Sequence, residues 1–254
     1  MLHMVSAWSS RQRLVLAQRR VAHNSNEITA IPALLSVLDV HGCIVTLDAI
    51  GTQTEIARQI TEQGAHYVLA LKGNHAGLHE EVATYFDQAQ RAALAHRPIG
   101  YAASSEIGHG REERRHAWSS SDVSWLPGAH SWQGLRSIVL IESERCSGTT
   151  RQASVERRYY LSSLAGGTAA AATQVLDAVR RHWGIENEVH WVLDLVFRED
   201  ESRIRRDHGG ANLSVVRHVA LNVLRREASP RMSVRMKRKR AGWDDAFLAR
   251  LTGF

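Results

Sequence analysis

The sequence predicts an α/β protein with parallel pairing at the centre of its sheet, a β-rich insertion, and a helical, basic C-terminal region. Three observations carry this. Two dense apolar runs, CIVTLDAI from Cys43 and HYVLALK ending at Lys72, have the composition of strands covered on both faces. Segments with helical apolar spacing alternate with them. From about Tyr101 to Leu164 the pattern changes to alternating polar and apolar residues, the period of antiparallel strands with one wet face. The expected division is 1–100 for the first part of the core, 101–165 for the insertion, and 166–254 for the last core helix, the C-terminal helices and a basic tail.

Each element has its own signal. LHMVSAW (Leu2–Trp8) and RLVLAQRRV (Arg13–Val21) are short β-prone runs joined by a polar turn, a hairpin pattern. Ile28, Ile31, Leu34, Leu35 and Leu38 then recur at helical spacing, with Asn24 or Asn26 available as a cap and Pro32 tolerated in the first turn. Thr52 and Glu55 have capping-box spacing for TQTEIARQITEQ, and Gly64 ends that helix. HGREERRHAW, LRSIVLIESER and SVERRYYLSSL predict strands, punctuated by Pro127, Gly128 and Gly134. From Thr173 the pattern is helical. Leu213, Val216, Ala220 and Leu224 predict the buried face of one helix, and RMKRKRAGW predicts a basic, weakly structured stretch near the end.

Composition narrows the function. No apolar stretch approaches the ~20 residues of a membrane span, and the N-terminal residues lack the basic head and apolar run of a secretory signal. Cys43 and Cys146 form no C-x-x-C pair, which argues against a disulfide scaffold or cysteine zinc site and for a reducing cytoplasm. The net charge is +6, and only Lys72, Lys237 and Lys239 are lysines; every other basic residue is arginine, whose fork grips phosphate bidentately. A GC-rich codon bias gives the same preference. Between Arg198 and Arg240, however, basic residues outnumber acidic ones 13 to 5, which more than accounts for the net charge. Such concentration suits a polyanion-binding face, and equally a solvated basic tail.

Two carboxylates stand out. Asp48 falls near the carboxyl end of CIVTLDAI, where open α/β sheets place ligands. Between apolar neighbours on a covered strand it would require a cation, metal or strong donors; the alternative is a cap for the loop Ala49–Thr52. In RRHWGIENEVHWVLDLVFRED, an α-helix would align Ile185, Val189, Val192 and Val196 in an apolar stripe. His182, Glu186, His190 and Asp194 would then lie at roughly 60°, 100°, 140° and 180° from it. Glu186 would sit at the edge of the buried face, able to lean into a site or simply to form a polar helix edge. A zinc set of His182, Glu186 and His190 is disfavoured, because two histidines eight residues apart on one helix rarely share a metal.

The blocks LHMVSAW, NEITAIPALL, IVTLDAIGTQ, YVLALKGNH, GHGREERR, RRHWGIENEVHWVLD, FREDESRIR and KRKRAGWDD, in this order, resemble the DDE-type insertion-sequence transposases that include the H-repeat-associated proteins. The resemblance covers essentially the whole chain. It implies a ribonuclease-H-like core with a mixed central sheet and a β-rich insertion before the last catalytic helix. It also implies three carboxylates holding two Mg²⁺ ions, with Mn²⁺ as a substitute, for DNA cleavage and strand transfer. By residue match Asp48 is the family's second aspartate and Glu186 its glutamate. The first aspartate belongs to a D-G-K-type strand upstream of LHMVSAW, and the only aspartate before Asp48 is Asp39, at a helix end. The expectation is therefore an N-terminally truncated copy, either a decayed remnant or a frame begun internally, incomplete or inactive on its own. The alternative function is a DNA-binding or dimerising fragment that interferes with an intact transposase.

Supporting positions follow from placement. Lys72 and Asn74, just after YVLALK, are candidate DNA contacts or turn residues. Arg111 and Arg115 share a strand face and either track phosphates or form an exposed charged face. His182, Lys237, Arg238, Lys239 and Arg240 complete the candidate DNA-binding set, and Trp183 is expected in the core or stacked on a base. The implied partners are double-stranded DNA, both the element's terminal inverted repeats and its target, and a second copy in a DNA-bound homodimer at the nucleoid.

Overall fold

The structure is a computed structural model and describes residues 4–21, 26–91, 97–108, 111–147, 153–204, 206–229 and 232–253. In chain order these form β1 (Met4–Ser9), β2 (Leu14–Arg20), α1 (Glu27–Leu35), β3 (Ile44–Leu47), α2 (Thr54–Glu62), β4 (His66–Leu71) and α3 (Ala76–Arg91). There follow β5 (Ile99–Gly108), β6 (Arg111–Ser120), β7 (Ser137–Ser147), β8 (Ala153–Ser162) and α4 (Ala169–His182). The chain ends with α5 (Trp191–Phe197), α6 (Gly209–Arg226), α7 (Val234–Ala241) and α8 (Asp245–Thr252). Contacts group them into two compact units, Asp39–His182 and Met1–Leu38 with Trp183–Phe254.

In the unit Asp39–His182 a six-stranded mixed sheet runs β3-β4-β8-β7-β6-β5. β3 and β4 are parallel, with Ile44 opposite His66, and the other neighbours are antiparallel. The β-rich segment thus continues the sheet that β3 and β4 begin. β4 is buried along most of its length, as its composition predicts. β3 differs. Among the described residues it ends the sheet, with a strand on one side alone, and all four of its residues are only half-buried.

Both faces of this sheet are covered by helices whose spacing explains the packing. On α4, Ala172, Val175, Leu176 and Val179 follow the i, i+3, i+4, i+7 rule and meet Val68, Ala117, Val139, Ile141 and Tyr160. Burying side chains of this size stabilises the fold by about 1.5–3 kcal/mol each for the larger ones. The opposite face receives α3, which buries Val82, Tyr85, Phe86 and Ala89 and sets Phe86 against Tyr159. Gly100 lets the start of α4 lie directly on β5: a Cβ there would stand 1.9 Å from the Thr168 carbonyl oxygen. Beyond the apolar region the long strands are held by charge. Arg145 pairs with Glu113 across β6 and β7, and Arg157 of β8 reaches both Glu142 and Asp87.

In the unit Met1–Leu38 with Trp183–Phe254, β1 and β2 form the expected antiparallel hairpin, bulged between Ala7 and Trp8. α6 lies on β2, and Asn222 behaves as an extra strand residue. Its side-chain oxygen accepts from the Val15 amide at 2.9 Å and its amide group donates to the Val15 carbonyl at 2.7 Å. The core joins Val15, Val189, Val192, Leu193 and Leu221. The buried face of α6 is rotated from the expected one. Ser214, His218, Leu221 and Leu224 turn inward, whereas Val216 is exposed and Ala220 half-buried. The bonds of Ser214 to Gln18 and of Asn222 to Val15 direct a polar edge of the helix onto the strand.

Two further expectations change. Thr52 does not cap α2; Gln53 occupies the cap position without a side-chain bond, and the Thr52 hydroxyl turns to the Ala70 carbonyl instead. RMKRKRAGW is not weakly structured. Most of it is α7, capped where the Ser233 hydroxyl accepts the Met236 amide, with Asp244 starting α8 in the same way through the Phe247 amide.

The buried His218 generates a pH dependence. Its Nδ1 donates to the Ser214 carbonyl at 2.8 Å, while Nε2 is buried without a partner. Adding a proton to Nε2 would bury an unpaired charge, so burial holds the imidazole's pKa below its ordinary 6.5. The unfolded chain then takes up a proton that the folded chain refuses. The stability linked to this group is present above the unfolded pKa and is lost as pH falls below about 6.5. Thermal unfolding between pH 7.5 and 5.5 should show a falling Tm, and His218→Gln should flatten that fall.

Candidate catalytic carboxylates and basic surface

Asp48 stands one residue beyond β3, at the carboxyl end of the sheet, and its side chain is exposed rather than buried. The expected desolvation does not arise, because β3 ends the sheet and the chain leaves it at Leu47. Asp48 Oδ1 accepts the Ile50 and Gly51 amides at 3.1 and 3.3 Å, a local turn that fixes the carboxyl plane. Among the described residues no hydrogen bond reaches Oδ2. The loop-cap role and a free ligand oxygen thus coexist in one side chain.

The loop after Asp48 is fastened from the segment that follows β4. Thr52 is wholly buried, and its hydroxyl lies 2.6 Å from the Ala70 carbonyl and 3.1 Å from that of Asp48. Asn74 donates to the Ala49 carbonyl, and His75 Nε2 to the Thr52 carbonyl at 2.7 Å. The ring of His75 also meets Trp132 edge-on at 5.5 Å. The amide of Asn74 is therefore spent on positioning the Asp48 loop. Lys72 leaves β4 at the same end of the parallel pair, exposed and with no ion pair among the described residues. His75 carried no expectation from sequence; its signal was its place in the GNH turn at the same sheet end.

On the neighbouring strand position, Thr46 Oγ1 meets His182 Nδ1 at 3.0 Å. His182, at the C-terminal end of α4, thereby touches β3 two residues before Asp48. Arg115 is committed within the sheet, to Glu113 at 2.6 Å and Glu106 at 3.1 Å, with its side chain only 18% exposed. It is placed as a cross-strand tie. Arg111 begins β6, and its side chain lies outside the described residues.

Glu186 belongs to the other unit. The expected continuous helix is interrupted: α4 ends at His182, Trp183 sits in a turn, and Glu186–His190 form a π turn before α5. The wide turn shifts the phase of everything before it relative to α5. Val189, Val192 and Leu193 are buried, Val196 only partly so. Glu186 is exposed and meets His190 Nδ1 at 3.2 Å. Trp183 is exposed rather than in the core. Asp194 is half-buried; burial first, then the adjoining Asp200 carboxylate, raises its pKa. Among the described residues, no three His, Cys, Asp or Glu side chains gather as a metal site.

The basic run of α7 divides by what each side chain touches. Lys237 departs from expectation: it is buried, ion-paired with Glu227 at 3.1 Å, and its amine also caps α6 through the Leu224 and Glu227 carbonyls. Arg238 bonds the Val196 carbonyl and covers the Phe197 ring, and Arg240 pairs with Asp244 at 2.8 Å. Lys239 is exposed. No helix among the described residues is long and apolar enough to cross a membrane.

Comparison with known proteins places these residues in a family. The family described as transposase DDE domain matches residues 1–223. The chain is 35% identical to the “H repeat-associated putative transposase YhhI” of Escherichia coli (strain K12) over 251 residues, 98% of this chain and 65% of that protein. It is 46% identical over 163 residues to a protein in the dhlA 3′ region of Xanthobacter autotrophicus, covering 64% of this chain and 53% of that protein. The chain thus spans under two thirds of the length of these relatives.

The staples around Asp48 give a direct test. Asn74→Ala and His75→Ala each remove one bond to the loop, worth about 1 kcal/mol. The Ile50 and Gly51 amides, held only by Asp48, should then exchange with solvent several-fold faster, while amides of β7 keep their protection. Unchanged exchange at both would show that the loop holds its shape without them. Lys237→Ala, by contrast, should lower overall stability by about 1–3 kcal/mol, because it leaves buried carbonyls unmet.

Proposed function

This chain belongs to the DDE-domain transposase family, with the mixed α/β sheet of a ribonuclease-H-like fold, and on that premise we propose that it forms most of a catalytic domain that cuts and joins the DNA of an insertion sequence. The observation that carries the proposal is Asp48. We read it as the family's second aspartate; it stands at the carboxyl end of β3, and among the described residues one of its oxygens is left free while two amides immobilise the other. A fixed, exposed carboxylate oxygen is the ligand a hard divalent cation takes. Glu186, matched to the family's glutamate, is the second proposed ligand, on a turn anchored by the buried Val189.

DDE transposases use divalent metal, and we assign two Mg²⁺ ions here, with Mn²⁺ as a substitute. Bound ions would activate a water or 3′-hydroxyl and stabilise the leaving oxygen of an in-line displacement. The residues present fit this in kind and fall short in number. Among the described residues no three His, Cys, Asp or Glu side chains gather as a metal site. Asp48 and Glu186 bring two negative charges toward four positive ones, leaving the repulsion between the ions poorly offset. The Asn74–His75 segment holds the loop that orients Asp48, and these two carboxylates by themselves do not make a complete ligand set. This shortfall favours a second reading, a chain that binds DNA or a second copy of itself and interferes with an intact transposase.

The DNA partners we propose are the element's terminal inverted repeats and its target duplex, met at the nucleoid. Phosphate contacts would come from Lys72, the exposed cations of the Arg198–Arg240 region and the end of α4 at His182. Binding should weaken with salt, with a log–log slope of about −0.9 per phosphate neutralised. A slope near zero would remove this basic region as the phosphate-binding surface.

Cleavage separates the two readings. With Mg²⁺ or Mn²⁺ and element-end oligonucleotides, the 254 residues alone should give no strand cleavage above background. Adding an upstream D-G-K strand should restore it, and Asp48→Asn in that longer chain should abolish it. Cleavage by the shorter chain that Asp48→Asn abolishes would mean that another carboxylate, such as Asp194, completes the set. Cleavage indifferent to Asp48→Asn would overturn the assignment.

A further inference from the structure

The basic stretch around α7 contains two populations of cation. Lys237, Arg238 and Arg240 are bound to Glu227, to Val196 and Phe197, and to Asp244 respectively. Arg235 and Lys239 are exposed, and among the described residues neither enters an ion pair. They lie four residues apart, and four residues further on stands Trp243, in the turn between α7 and α8 with 67% of its surface exposed. Residues at i and i+4 share one side of a helix, so Arg235 and Lys239 line one side of α7, and Trp243 follows in the turn just past its end. Met236, 48% exposed, borders this surface, and Lys237 anchors the opposite side of the helix.

The remainder of the turn keeps this surface available. Asp244, the acid beside Trp243, accepts the Phe247 amide and pairs with Arg240, which lies over the buried Phe247 ring. Asp244 is thus occupied by those groups, leaving Arg235 and Lys239 uncompensated by it; Asp245 opens α8 next to it. Among the described residues no ring or cation contacts the Trp243 indole.

We propose that the surface of Arg235, Lys239 and Trp243 binds an unpaired segment of DNA, with the two cations on its phosphates and the indole stacked on a base. The proposal rests on the reading of this chain as a DNA-processing protein and names which strand form this surface takes. Two free cations in line select a polyanion. An exposed indole in the turn that follows them selects one whose bases are open to stacking, since a paired base offers no free face inside a duplex. Stacking of this kind is tolerant of sequence.

The test is fluorescence anisotropy with a labelled 12-nucleotide single strand and a blunt duplex of the same sequence, each titrated at several salt concentrations. Trp243→Ala should weaken single-strand binding by on the order of ten-fold and leave duplex binding unchanged. Trp243→Phe should retain most of the affinity. Arg235→Gln with Lys239→Gln should reduce the single-strand salt slope by about 1.4, at ~0.7 per lost phosphate contact. Since these side chains are exposed, all variants should melt like the parent chain. Equal loss of single strand and duplex in Trp243→Ala, or no loss of either, would overturn the stacking proposal. In both cases salt-dependent duplex binding by the parent chain would leave the transposase reading standing. Failure of the parent chain to bind either DNA would overturn both.

Discussion

One buried hydroxyl organises the end of the sheet where Asp48 stands. Thr52 has no exposed surface, and its Oγ1 lies within bonding distance of the Ala70 carbonyl on β4 and the Asp48 carbonyl beyond β3. β3 has left the sheet at this point, and a carbonyl withdrawn from water without a donor is costly. The single hydroxyl proton, directed mainly to Ala70 at 2.6 Å and shared with Asp48 at 3.1 Å, ties the ends of the two parallel strands together. Asn74 and His75 then complete the same task for Ala49 and for Thr52 itself. A polar loop that would otherwise move is held to a single shape, and the direction of the Asp48 carboxyl is a consequence.

Local signals in the sequence predicted most elements here. β4, α2, the hairpin β1–β2 and the strands β6, β7 and β8 follow from apolar period and turn chemistry. α3 shows that a legible signal was also passed over: Val82, Tyr85, Phe86 and Ala89 have helical spacing, and all four are buried. The position of Asp48 at a strand's carboxyl end was equally readable. Its exposure was not, because that depends on which strand ends the sheet, and sheet order is set by partners up to a hundred residues away, as with Leu69 and Leu161.

The same division between local and distant causes explains the second unit. The helix period of α6 was plain, yet the face that turns inward is chosen by Asn222 reaching Val15 and by Ser214 reaching Gln18. Pattern counting favours the valines, while the strand edge of β2 demands hydrogen-bonding groups, and the polar edge is the one that packs. Charge counting fails in a similar way at α7. Arg235 to Arg240 look alike in sequence, but the open carbonyls at the end of α6 draw Lys237 inward. A run of like charges on a short helix is therefore several different residues once its neighbours are known.

The π turn at Glu186–His190 also bears on how such sequences are compared. A π turn is an α-helix that has taken in one residue without unravelling, the extra residue being absorbed as a local widening of the ladder. A homologue with one residue fewer in this stretch would close the turn into regular α-helix, keep Val192 and Leu193 in the core, and swing Glu186 by roughly 100° about the axis. Alignment gaps of a single residue between Glu186 and Trp191 would then mark a change in where this carboxylate aims, even where every neighbouring letter is the same.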